Sequence, residues 1–101
     1  MEVVRIDDLP NEPGEAAAHF YAEHRARIAS LQASSIALVL PPADHRHVDW
    51  RRAAVRDLAR ALAPARVNMV AGNDGAAMDR TIAYLRTASG ITGQLLETAQ
   101  N

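Results

Sequence analysis

Apolar residues along this chain fall into four short blocks, separated by stretches in which they recur every three or four positions. Val3-Val4-Arg5-Ile6 reads as a short strand, closed by Asp7-Asp8-Leu9-Pro10 and the turn-rich Asn11-Glu12-Pro13-Gly14. Ile36 to Leu40 is apolar without alternation, the pattern of a central strand covered on both faces of a parallel α/β sheet. Pro41-Pro42 ends it. Arg66 to Ala71 is a further strand candidate through Val67, Met69 and Val70, stopped by the turn Gly72-Asn73-Asp74-Gly75. Ile91-Thr92-Gly93-Gln94-Leu95-Leu96 is expected to be the last strand.

The intervening stretches have helical spacing. Between Glu15 and Ala33, at about 100° per residue, Ala17, Phe20, Tyr21, Ile28 and Leu31 share a face with His24. Ala18, Ala22, Ala26, Ala29 and Ala33 line the opposite face. That stripe reads either as helix propensity on a solvated surface or as the seat of a closely packed second helix, and we take the second reading. A second helix is expected from Arg46 to Ala63, stopped by Pro64. Val48, Val55, Leu58, Ala59 and Leu62 form its apolar face, and Trp50, Ala54 and Ala61 widen that arc beyond what one sheet surface requires. A third helix is expected over Ala76–Ala88, with Ile82 and Leu85 inward and Gly90 closing it.

Strands alternating with helices predict a single α/β domain over residues 1–101. It is expected to be a small three-layer, partial Rossmann-like unit of about four mostly parallel strands and three helices, with right-handed crossovers. Composition supports a folded protein, with 49% hydrophobic and 23% charged residues. Eleven basic residues, all arginine, against twelve acidic ones give a net charge of -1, which argues against a general nucleic-acid binder. The absence of cysteine excludes a disulfide framework, thiol catalysis and Cys-ligated zinc. No apolar run approaches the roughly 20 residues of a membrane span, and no export signal is evident, so the default expectation is cytoplasmic.

Two segments carry a resemblance. Ala53-Ala54-Val55-Arg56-Asp57-Leu58-Ala59-Arg60-Ala61-Leu62-Ala63, followed by Pro64-Ala65-Arg66-Val67-Asn68, resembles the stretch of short-chain dehydrogenase/reductases that starts at their catalytic lysine. Ile82-Ala83-Tyr84-Leu85 and Ser89-Gly90-Ile91-Thr92-Gly93-Gln94 resemble the family's last helix and its Thr-Gly-Gln strand. The likeness is to the C-terminal half of the family's fold, in a truncated and degenerate form. It implies the scaffold and, position by position, denies the reaction. The Gly-x-x-x-Gly-x-Gly turn that approaches the pyrophosphate is missing. Val48 stands where the family's tyrosine would be and has no proton to give, and Arg52 stands in the lysine's place. The family's serine falls near Pro41-Pro42.

The resemblance therefore implies a pseudoenzyme, with no catalytic residue and no cofactor or metal expected. In the family, the helices flanking the central strand pack against the same pair of a second subunit in a four-helix bundle. The expected oligomer interface is Ala18, Ala22, Ala26, Ala29, Ala33, Trp50, Ala54 and Ala61, with a second copy or a full-length short-chain dehydrogenase as partner. The alternative is a residual oxidoreductase or nucleotide-binding protein with a pocket at the strand ends near Pro41, His45, His47, Gly72 and Asn73.

Other chemistry is thinner. Asp44-His45-Arg46-His47-Val48-Asp49 is dense in metal-type ligands, but Asp44 reads better as a helix N-cap. His24 is expected in a core or interface, and Arg52, Arg56 and Arg60 on a solvated face.

Overall fold

The structure is a computed structural model and describes residues 1–98. Four strands, β1 (Glu2–Arg5), β2 (Ser35–Leu40), β3 (Arg66–Ala71) and β4 (Leu95–Glu97), form one parallel sheet in the order β1-β2-β3-β4. Helices α1 (Pro13–His19) and α2 (Arg25–Ala29) join through a π turn, Phe20–His24, and together make the first crossover. Helices α3 (Val48–Leu62) and α4 (Ala76–Thr87) make the second and third.

Every residue of β2 is buried. Ile36, Leu38 and Leu40 face a core shared with Phe20 and Ile28 of the first crossover and with Val55 and Leu58 of α3. Ala37 and Val39 face the other way, with Val70, against Met78 and Leu85 of α4. Two helical segments thus cover one face of the sheet and α4 covers the other, which is the expected three-layer α/β arrangement.

Local chemistry sets the boundaries. Glu12 caps α1, its carboxylate accepting from the Gly14 and Glu15 N–H groups at 3.0 and 2.8 Å, with Pro13 in the first turn. The Arg66 guanidinium closes α4, donating to the last-turn carbonyls of Leu85 and Ala88.

Three expectations are corrected. The first helix begins at Pro13 and ends at Ala29, where Ser30 Oγ turns back to the Arg27 carbonyl at 2.7 Å, so Ala33 lies beyond it. Tyr21 is 42% exposed, not inward-facing; Ala16, Phe20, His24 and Ile28 are the buried positions. The last strand is only Leu95–Glu97. Residues 91–94 form a loop that buried Asn68 holds, donating to the Ile91 carbonyl (2.9 Å) and accepting from the Gln94 N–H (3.1 Å). Gly93 takes a positive φ of 72° there, which a glycine adopts without strain.

An ion pair ties the two helical segments together on their shared side of the sheet. Arg25 Nε donates to Asp57 Oδ2 at 2.7 Å, and that hydrogen bond holds the Asp57 carboxyl below its ordinary value of 3.8. A depressed carboxyl contributes stability above its unfolded value and loses it as pH falls through the folded one. Urea unfolding of the wild type and Asp57→Asn is therefore expected to differ at neutral pH. The difference should shrink as pH drops below 3.8 and vanish once Asp57 is protonated in the folded chain as well as in the unfolded one.

Candidate functional site

The carboxyl ends of the strands are where a fold of this type binds ligands. Here β2 runs into Pro41-Pro42, both exposed, and then Asp44. Asp44 caps a short 3-10 turn, His45–His47, its Oδ1 accepting from the Arg46 N–H at 3.0 Å while its carboxylate pairs with the Arg46 side chain. This is the N-cap reading of the segment. His45 is exposed.

His47 is buried, and both its ring nitrogens are engaged. Nε2 lies 2.9 Å from the Asn11 carbonyl, so it carries the proton, and Nδ1 accepts from Trp50 Nε1 at 3.0 Å. The ring works as a strut between the loop before α1 and the start of α3, with no lone pair left for a metal. Trp50 also leans on Phe20, with ring centroids 5.7 Å apart.

Beneath this strut lies a residue that the sequence reading passed over. Arg51 is 4% exposed and donates through Nη1 to the Pro41 carbonyl at 3.0 Å. Its Nε has no hydrogen-bond partner among the described residues, and its carbon Cζ stands 5.7 Å from the Trp50 ring. Burial pushes the guanidinium below its ordinary value, with Glu97 opposing the shift. A signal was present: Arg51 follows Val48 by three residues and precedes Val55 and Leu58 by four and seven, inside the apolar face.

The Pro41-Pro42 ridge divides the strand ends. On one side, a cleft of about 260 Å³ is lined by Leu9, Pro10, Asn11, Pro41, His47 and Arg51, among others. On the other, a cleft of about 140 Å³ is lined by Arg5, Asp7, Pro41, Gly72, Asn73 and Asp74, among others. Of the expected pocket, Pro41 belongs to both clefts, His47 to the first, and Gly72 and Asn73 to the second; His45 lines neither. They do not converge on one cavity. Both of these clefts are below the roughly 300–1,000 Å³ of ordinary ligand sites. A third, of about 350 Å³, lined by Pro42, Ala43, Asp44, Ala71, Glu97 and Thr98, holds none of the expected pocket residues. Two consecutive prolines offer no backbone N–H to a phosphate. Gly72 allows a close approach, because a Cβ there would overlap the Thr98 hydroxyl.

The expected interface divides as well. Ala18, Ala22, Ala26 and Ala61 are exposed, Ala29, Ala33 and Trp50 are half-buried, and Ala54 is fully buried. Ala54 packs into the chain's own core and has no surface to offer, whereas Ala53, which the sequence reading left out, is exposed. Val48 is half-buried at the start of α3 and Arg52 is exposed.

Four parallel strands in sequential order, with helices on both faces and the loops of interest at the carboxyl ends, define a Rossmann-like α/β protein. Residues 4–98 match the family model described as short chain dehydrogenase-like protein, and the chain belongs to that family. No curated protein and no solved structure matches it. Among the described residues, no helix is long and apolar enough to cross a membrane.

Arg51 yields a stability prediction. A buried cation with a single hydrogen bond gives up more in desolvation than it regains, and an apolar side chain of similar length fits the same space. Arg51→Met is expected to unfold at the same or higher urea concentration, while Arg51→Ala, which empties the site, loses about 0.5–3 kcal/mol. Equal losses in both variants would mean that the charge itself holds the strand end.

Proposed function

We propose that this chain is a non-catalytic member of the short chain dehydrogenase-like family that works by association, with a second copy of itself as the partner. One observation carries the reading. The helical layer of α1, α2 and α3, in which both first segments pack against α3, exposes Ala18, Ala22 and Ala26 on the first helical segment and Ala53 on α3, with Tyr21 42% exposed among the former. Side chains this small let another helix approach closely, and an aromatic ring at the margin suits an interface anchor.

Charge supports self-pairing. The first helical segment exposes Glu15 and Glu23 along with Arg27, and α3 exposes Arg52, Arg56 and Arg60 along with Asp49. A two-fold arrangement laying α1 of one copy across α3 of the other sets opposite charges together twice, as an isologous contact requires.

The non-catalytic part rests on what occupies the family's reactive positions. Val48 has no transferable proton, Arg52 is exposed, and neither Tyr21 on the outer helical face nor Tyr84 on α4 lies at the start of α3. A second reading, a small anionic ligand or nucleotide in the cleft beside Arg51, draws support from the unpartnered Nε of that buried guanidinium.

Size-exclusion chromatography with light scattering at micromolar concentration is expected to return the mass of a dimer. Ala22→Arg should return a folded monomer whose urea unfolding, unlike that of the wild type, does not depend on protein concentration. A monomeric wild type, or one that assembles only with a full-length dehydrogenase, overturns self-pairing. NAD(P)H is expected to leave the melting temperature unmoved; a clear rise favours the ligand reading instead.

A further inference from the structure

One group of side chains that lines neither strand-end cleft is organised by an irregularity in the first helix. At the π turn, the Arg25 N–H bonds to the Phe20 carbonyl five residues back. In a regular α-helix, residues five apart point about 140° away from each other. A π turn, whose bonds link i to i+5, stacks them. His19 and His24 consequently meet, with ring centroids 5.5 Å apart. Both direct Nε2 at a single carboxylate in the loop after β1: His19 lies 2.9 Å from Asp8 Oδ2 and His24 2.8 Å from Asp8 Oδ1. The ligand-type atoms of the three residues all fall within 4.8 Å of one another.

We propose that Asp8, His19 and His24 form a binding site for one divalent transition-metal ion, zinc being the best match, with the remaining coordination filled by water. Two imidazoles and one carboxylate select such ions over magnesium or calcium, which prefer all-oxygen surroundings. Zinc takes these ligands at about 2.0–2.2 Å, and the three atoms are near enough that side-chain rotation alone brings them onto one ion. His24 is buried, His19 half-buried and Asp8 exposed, so the site has a fixed floor and a mouth open to solvent.

Arg27 opposes the ion. Its Nη2 donates to His24 Nδ1 at 2.9 Å, which places the His24 proton on Nε2, facing Asp8. For Nε2 to ligate, that proton must move to Nδ1, where the guanidinium now sits. Arg27 is exposed and can swing away, but it competes for the ring and adds a like charge. Glutamine at position 27 would instead accept the Nδ1 proton, as the outer partners of metal-bound histidines do.

The test is a zinc titration of the untagged, chelator-stripped chain by calorimetry, paired with the visible spectrum of the cobalt(II) form. One equivalent of zinc should bind and raise the melting temperature, and magnesium should do neither. Asp8→Asn and His19→Gln, neither altering a buried residue, should each weaken binding at least about tenfold, and Arg27→Gln should tighten it by about the same factor. Absence of binding overturns the proposal. So does binding that survives Asp8→Asn and His19→Gln but is lost in His45→Ala. The site does not depend on the association reading, because both readouts are the same for a monomer or a dimer.

Discussion

Strand β2 has no free face, and this constraint organises the rest of the protein. All six residues, Ser35 to Leu40, are buried, with Ile36, Leu38 and Leu40 directed to one helical layer and Ala37 and Val39 to the other. A strand dressed this way is stable only if apolar helices cover both sides, which parallel pairing with helical crossovers provides. Since α3 must turn Val55 and Leu58 toward β2, its rotation about its own axis is fixed. Everything else about that helix follows, including which alanine is buried and which reaches solvent.

That rotation separates what was legible in the sequence from what was not. The unalternating run at 36–40, the proline stops and the helical spacing carried the layer order, because each reports a large and unconditional burial term. The alanines of α3 were less legible. Ala53 and Ala54 are chemically identical and adjacent, and a one-residue error in phase exchanges core for surface. Arg51 was read past for the opposite reason: a charge on an apolar face looks like an interruption of the pattern, yet here the pattern holds and the charge is buried. The loop at 91–94 has strand-like composition, but Asn68 takes the Ile91 carbonyl and the Gln94 N–H and Gly93 turns at a positive φ, so the regular strand begins only at Leu95.

At the strand ends, a tertiary feature decides what the family scaffold can do. Pro41-Pro42 stands between the two clefts that share out the expected pocket residues, and it withdraws the N–H groups that a phosphate would seek there. His47 is locked between Asn11 and Trp50, so the ring that looked reactive in sequence acts as a spacer. The chemistry that remains is the Arg51 guanidinium, held under cover at some cost to stability.

The π turn links the core, the outer face and the histidine cluster. The buried residues of the first helix are Ala16, Phe20, His24 and Ile28, and its exposed alanines are 18, 22 and 26. Both stripes have a period of four. On an uninterrupted α-helix, a period of four drifts by about 40° per step, so Ile28 would leave the core by the time Ala16 had entered it. One π turn takes up the accumulated drift in the middle of the segment, keeping Ile28 against the sheet and Ala26 in line with Ala18. The same adjustment brings the rings of His19 and His24 together edge to face. A helix that must stay straight against β2 while repeating every four residues thereby acquires two imidazoles on one carboxylate, and substitutions that restore a regular 3.6-residue period would disperse both the alanine face and the histidine pair.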